Sequence, residues 1–122
     1  MVLIKKTFSH LNKSNLPRMV DVSKKTKTER KATSIAKVYL GKDLTELLKK
    51  TNSTKKGPVI QTAVIAGIQA AKKTSDLIPM CHHLPLDGVE IKIDLKKEHA
   101  IINACIKTRD RTGVEMEALT AV

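Results

Sequence analysis

A chain of 122 residues has room for one domain, and a hydrophobic content of 41% is enough to give that domain a core. Aromatic residues make up 2%, Phe8 and Tyr39 alone, so the core must be built from Ile, Val, Leu and Ala, and base stacking of the kind nucleic-acid modules use has almost nothing to work with. The net charge of +11, from 23 Lys and Arg against 12 Asp and Glu, points to an anionic partner: nucleic acid, an anionic membrane or a phosphorylated small molecule. No run approaches the roughly 18 apolar residues of a membrane span, and no apolar stretch follows Lys5-Lys6 in the manner of a signal peptide. Cys81 and Cys105 suit a reducing, cytoplasmic setting and do not suggest a disulfide framework.

Residues 1–27 show no sustained period and read as an irregular arm, either disordered or lying on a neighbour. Within it, Met19-Val-Asp-Val-Ser23 has the apolar character of a short strand, and Asp21 reads as a turn or hydrogen-bonding residue. Ala32 to Leu40 alternates as a strand, with Ala32, Ser34, Ala36, Val38 and Leu40 on one face. Gly41 breaks it, and Asp43-Leu-Thr-Glu46 reads as a capping box opening a short helix with a Leu44, Leu47, Leu48 stripe. Lys56-Gly57-Pro58 opens the main helix, with Pro58 in the first turn, where its missing N–H costs nothing. Ile60, Ala63, Val64, Gly67, Ile68 and Ala71 form its buried face, and the small residues Ala63, Gly67 and Ala71 leave a groove for a second backbone. Lys72 and Lys73 sit where a helix C-terminus favours cations.

The next stretch, Asp76-Leu-Ile-Pro-Met-Cys-His-His-Leu-Pro-Leu-Asp-Gly88, is a stiff connector, because Pro79 and Pro85 fix their own φ and restrict the residue before each. Such a connector can hold a histidine where chemistry needs it. Cys81, His82 and His83 resemble half of a metal site, but zinc needs three or four ligands at patterned spacing and the remaining histidines are His10 and His99, so no metal site is expected. Val89 to Lys96 alternates most cleanly of all, Lys97 to Ala100 make a hairpin connection, and Ile102, Ala104 and Ile106 mark the return strand. Asp110 to Gly113 is a loop, and Thr112-Gly-Val-Glu115 reads as a second capping box, opening a helix with Val114, Ala118, Leu119 and Val122. The order places the chain in the α/β (α+β) class, as a single domain over 1–122 with a ferredoxin-like β-α-β-β-α-β unit whose final strand is missing, so that the pattern predicts C-terminal incompleteness.

The run KGPVIQTAVIAGIQAAKKTSDLIPMCHHLPLDGVEI from Lys56 to Ile91 resembles the molybdenum cofactor biosynthesis protein C family, the cyclic pyranopterin monophosphate synthases. MVDVS at Met19 to Ser23 and RTGVEMEALTA at Arg111 to Ala121 agree with it in order and spacing. The resemblance implies a phosphorus–oxygen lyase of molybdenum cofactor biosynthesis that converts 3′,8-cyclo-7,8-dihydro-GTP to cyclic pyranopterin monophosphate and releases pyrophosphate. It implies a homohexamer, a trimer of dimers, with neither membrane nor nucleic acid as partner. No cofactor is required on this reading, and Mg2+ accompanying the substrate triphosphate is left open.

Carried over residue by residue, the resemblance makes Met80, Cys81, His82, Glu115, Met116, Glu117, Lys56, Lys73 and Arg30 substrate-binding. His82 would contact substrate, Met80 and Cys81 would serve through backbone or packing, and Lys56, Lys73 and Arg30 would hold phosphate. Glu115 and Glu117 stand two apart, so one would serve the pocket and the other the helix cap. On the arm, the Met19-Val-Asp-Val-Ser23 block and the upstream His10-Leu11-Asn12 would help complete the site, and His83 stands where the family has proline. The principal catalytic pair of the family, an Asp and a Lys, is expected after Val122. Two other readings stay open: a truncated, non-catalytic relative that assembles and binds nucleotide or pterin, and a basic nucleic-acid-binding module.

Overall fold

The computed structural model describes residues 8–122. The part of the expected arm over residues 1–7 lies outside the described residues. From Phe8 onward the arm has no helix, and its only ladder contact is an isolated bridge between Leu11 and Pro17. Its first half folds on itself, with the Arg18 N–H donating to the His10 carbonyl at 2.8 Å and Asn12 Oδ1 accepting from the N–H groups of Ser14 and Leu16 at 2.9 Å each. The strand expected at Met19 to Ser23 does not form, because no neighbouring strand offers it a ladder. Asp21 instead closes a turn by accepting the Ser23 N–H at 2.9 Å. The described part of the arm contacts its own chain at His82 and Arg111.

The first strand, β1 (Thr28–Tyr39), begins earlier than expected and ends before Leu40. Arg30, Ala32, Ser34 and Ala36 are half-buried on one side, while Thr33, Ile35, Lys37 and Tyr39 are exposed on the other. Helix α1 (Lys42–Thr51) follows, and its start corrects the expected capping box. Gly41 takes the N-cap position at φ 79°, without a side-chain cap, and Asp43 lies in the first turn. The reason is tertiary: the N–H groups of Leu40 and Gly41 both donate to the Glu98 carbonyl, at 2.8 and 3.2 Å, so the chain turns at a residue that tolerates positive φ.

A small ribbon of β2 (Ser53–Thr54) and β3 (Gly57–Pro58) comes next, so Pro58 belongs to a strand and not to the first turn of the main helix. That helix, α2 (Ile60–Lys72), is capped from a distance. Asn52, left-handed at φ 52°, ends α1, and its Oδ1 accepts the Ile60 N–H at 3.2 Å. The groove of small residues is used within the chain. A Cβ at Gly67 would stand 2.6 Å from the Ala121 carbonyl oxygen and would strike the Ile91 side chain. Ala71 is buried, while Ala63 is exposed.

After the one-turn α3 (Thr74–Leu77), β4 (Gly88–Lys96) and β5 (His99–Asp110) make a hairpin. The connection is tighter than expected: Lys96 pairs with His99, leaving Lys97 and Glu98 as the turn, with Lys97 at φ 52°. The last helix, α4 (Glu115–Ala121), also departs from its expected capping box. Val114 occupies the N-cap, with no side-chain cap, because its fully buried side chain is drawn into the core and so fixes where the helix begins.

The sheet order is β1-β5-β4, antiparallel throughout, so β1 and β4 run parallel with β5 between them. This is the split β-α-β arrangement of a ferredoxin-like sheet, and the expected mixed class is what forms. One face is covered by α2 and α4, which enclose Ala71, Ile91, Ala104, Ile106, Val114, Ala118 and Ala121. The core is narrow and made of small aliphatic side chains, as the near absence of aromatics requires. The other face, with Ile35 and Tyr39 about two-thirds exposed, is open.

Candidate active site

The connector after α3 forms one wall of a cleft. Ile78 leaves the helix in an extended conformation, and Met80 then takes φ 66°, a left-handed conformation uncommon for a residue with a long side chain. Such strain persists only where the surroundings over-determine it, and it concentrates at functional sites. The connector is pinned at its far end by buried Thr108, whose hydroxyl donates to the Pro85 carbonyl, and by the Asp87 N–H, which donates to the Lys107 carbonyl at 2.9 Å. Leu84 and Leu86 anchor it on the core.

The opposite wall is the turn from β5 into α4. Buried Val114 fixes the start of the helix, which sets Glu115, Met116 and Glu117 beside the connector. Ser34 secures this helix to β1 by donating its hydroxyl to the Ala118 carbonyl. Between the walls lies a cavity of about 160 Å³ lined by His10, Met80, Cys81, His82, Leu84, Thr112, Gly113, Glu115, Met116 and Glu117. Six of the residues singled out in the sequence therefore converge: Met80, Cys81, His82, Glu115, Met116 and Glu117.

Lys56, Lys73 and Arg30 do not line it. Lys56 is exposed in the turn between β2 and β3, and Lys73 is exposed at the C-terminus of α2. Arg30 is half-buried on β1 and donates to the carbonyls of Asp110 and Arg111, each at 3.4 Å, so it braces the turn that carries Thr112 and Gly113. Its place in the sheet gives it a structural partner that sequence spacing does not reveal. Both glutamates line the cleft, and the N-cap residue Val114 has no side-chain cap. Thr112, Gly113 and Leu84 were not singled out; their closeness in sequence to Glu115 and His82 was the available signal.

The two histidines of the connector part company. His82 is half-buried, with Nε2 at 2.5 Å from the Val20 carbonyl. His83 is exposed and has its Nδ1 at 2.7 Å from the Ser75 hydroxyl, outside the cleft. Glu117 is only 5% exposed, and burial pushes its carboxyl up from the ordinary value; its own backbone N–H opposes this and the Glu115 charge adds to it. Burial likewise raises the Cys81 thiol, with the Glu117 charge adding to the effect, so Cys81 is held as a thiol and not as a nucleophilic thiolate. On the arm, Asp21 is held below the usual carboxylate range, first by the Ser23 backbone N–H and then by the Ser23 hydroxyl, with smaller help from Arg18 and His82.

A second cavity of about the same size lies on the open face of the sheet, lined by Thr33, Ser34, Glu90, Lys92, Asn103, Ala104 and Cys105. Its charged groups, Glu90 and Lys92, are an exposed ion pair, and it has neither a histidine nor a buried carboxylate. A histidine, a thiol and paired glutamates thus converge beside the helix layer of a ferredoxin-like sheet, and this cleft is the candidate site for a small molecule. A model of the MoaC family matches residues 19–122. Curated relatives named cyclic pyranopterin monophosphate synthase include those of Helicobacter pylori strain J99, 49% identical over 93% of this chain and 73% of the relative, and of Peptoclostridium acidaminophilum, 46% identical over 94% and 73%. That of Campylobacter lari is 47% identical over 93% of this chain and 73% of its own length. The chain belongs to the MoaC family.

Proposed function

We propose that the chain is a cyclic pyranopterin monophosphate synthase of molybdenum cofactor biosynthesis, a lyase that converts 3′,8-cyclo-7,8-dihydro-GTP to cyclic pyranopterin monophosphate with release of pyrophosphate. The observation that carries this reading is the convergence of Cys81 and His82 with Glu115, Met116 and Glu117 in one cleft. The reaction moves protons through a ring rearrangement and closes a cyclic phosphate. A histidine and a carboxyl whose pKa is raised by burial are groups that can give and take those protons. The net charge of +11 suits a triphosphate substrate.

The cleft of one chain, about 160 Å³, is smaller than the roughly 300 Å³ at which small-molecule pockets usually begin. A homo-oligomer, a hexamer built as a trimer of dimers, would complete it, with exposed Lys56 and Lys73 serving the phosphates at a subunit boundary. Mg2+ entering with the substrate would be held by the triphosphate oxygens. Among the described residues no helix is long and apolar enough to cross a membrane, and the cytoplasm is the setting proposed for the reaction.

The test is pyrophosphate release from the purified full chain supplied with 3′,8-cyclo-7,8-dihydro-GTP. The expected result is release that His82→Ala and Glu117→Ala abolish. Binding of the intermediate without release would favour the non-catalytic alternative. Competition by duplex DNA, with no effect of GTP, would instead favour a nucleic-acid module.

A further inference from the structure

The arm and the connector meet at one polar contact, between the Val20 carbonyl and the His82 ring. A carbonyl oxygen has no proton, so the 2.5 Å approach of His82 Nε2 to the Val20 carbonyl requires that Nε2 carry the hydrogen. Neutral His82 is then the Nε2–H tautomer, and Nδ1 is the ring nitrogen left with a lone pair. The segment that supplies this carbonyl is itself held. The Asp21 carboxylate closes a turn on the Ser23 N–H at 2.9 Å, the Lys25 N–H donates to the Val22 carbonyl at 3.0 Å, and Arg111 Nε donates to the Lys25 carbonyl at 3.2 Å. Upstream, the Arg18 N–H holds the His10 carbonyl at 2.8 Å, and His10 is carried into the lining of the same cleft.

We infer that residues 19–25 are a positioning strap for the active site: the Val20 carbonyl fixes His82 as the Nε2–H tautomer and assigns proton acceptance to Nδ1, while the Arg111 contact holds the strap in register. Val20 is a positioning residue that acts through its backbone, and Arg111 acts through Val20. The titratable groups grouped around His82 are His10 and Asp21 on the arm, Cys81 on its own loop, and Glu115 and Glu117 on α4. Assigning the tautomer needs only the geometry; its catalytic consequence rests on the synthase reading above.

The experiment is long-range proton–nitrogen correlation NMR of the full chain carrying ring-labelled histidine, at neutral pH, where His10, His82, His83 and His99 are the four signals to assign. His82 is expected to show a protonated Nε2 and a bare Nδ1. Arg111→Gln removes the donor to the Lys25 carbonyl, and Asp21→Ala removes the turn by an independent route. Each is expected to lower the preference for the Nε2–H form about threefold to tenfold, the worth of one hydrogen bond. The His99 tautomer, on the hairpin, should not move. In pyrophosphate release, kcat should fall by the same factor with KM little changed. A protonated Nδ1 in the parent chain, or a His82 tautomer unmoved by both variants, would overturn the inference even if turnover is normal. Absence of turnover in the parent chain would defeat the synthase reading and leave the tautomer assignment standing.

Discussion

Behind the helices, Ala71, Ile91, Ala104, Ile106, Val114, Ala118 and Ala121 meet as aliphatic side chains alone. Around the cleft, the holding contacts are nearly all side chains reaching for a carbonyl: Thr108 to Pro85, His82 to Val20, Arg111 to Lys25, Arg30 to Asp110 and Arg111, and Ser34 to Ala118. The first region is stabilised by area removed from water, which tolerates small shifts in position. The second depends on the geometry of single bonds, each modest in net energy but each fixing a group in one place. The fold's stability and its site are thus built from different interactions, and substitutions can separate them.

The largest effect is expected in the core. Ile106→Ala removes a fully buried side chain between sheet and helices and should cost about 2–5 kcal/mol, read as a lower denaturant midpoint with the m-value unchanged. Gly67→Ala should follow at about 1–3 kcal/mol despite the better helix propensity of alanine, because the new methyl meets the backbone oxygen of Ala121. A neutral or stabilising result would mean that α4 can move away from α2 at no cost. Asn52→Ala, which removes a remote cap and a left-handed residue suited to its φ, should cost roughly 1 kcal/mol.

Glu117→Gln should act in the opposite direction and only at the cleft. A carboxyl whose folded pKa is raised binds its proton more tightly in the folded state, so stability falls as pH rises from the ordinary value of 4.5 through the raised one. The amide cannot ionise. The variant should therefore be more stable than the parent at neutral pH, the advantage should vanish on acidification below that window, and pyrophosphate release should be lost. Thermal melts at several pH values decide it; a stability difference that does not change with pH would remove burial as the cause. Smallest of all, Ile35→Lys on the open sheet face should change the stability of the chain by no more than about 0.5 kcal/mol. A larger loss accompanied by dissociation would show that another copy covers that face.

Much of this was legible in the residues. The alternation of Val89 to Lys96 and of Ala32 to Leu40, and the apolar face of α2, are periodic signals that report directly which side of an element is buried, and they were found in place except at Val38 and Ala63, which are exposed. The groove at Gly67 was legible as a groove but not as the seat of α4 rather than of another chain. Cys81, His82 and the Glu115-Met116-Glu117 block stood out as candidates by their resemblance to the family, and one cleft joins them. Both helix starts expected from a capping box were misplaced, because caps compete with stronger constraints: the hairpin carbonyl at Glu98 set Gly41, and burial set Val114.

By itself, the sequence determined the types of the longer elements, the aliphatic nature of the core and the family, since periodicity, composition and local motifs are properties of neighbours along the chain. Only the tertiary structure decided that the arm closes on its own chain, that His82 and His83 face different partners, that both glutamates share one cleft, and that Arg30 braces a turn. The His82 and Arg30 contacts turn on carbonyls brought near from many residues away, and hydrogen bonds to backbone carbonyls leave no mark in side-chain pattern.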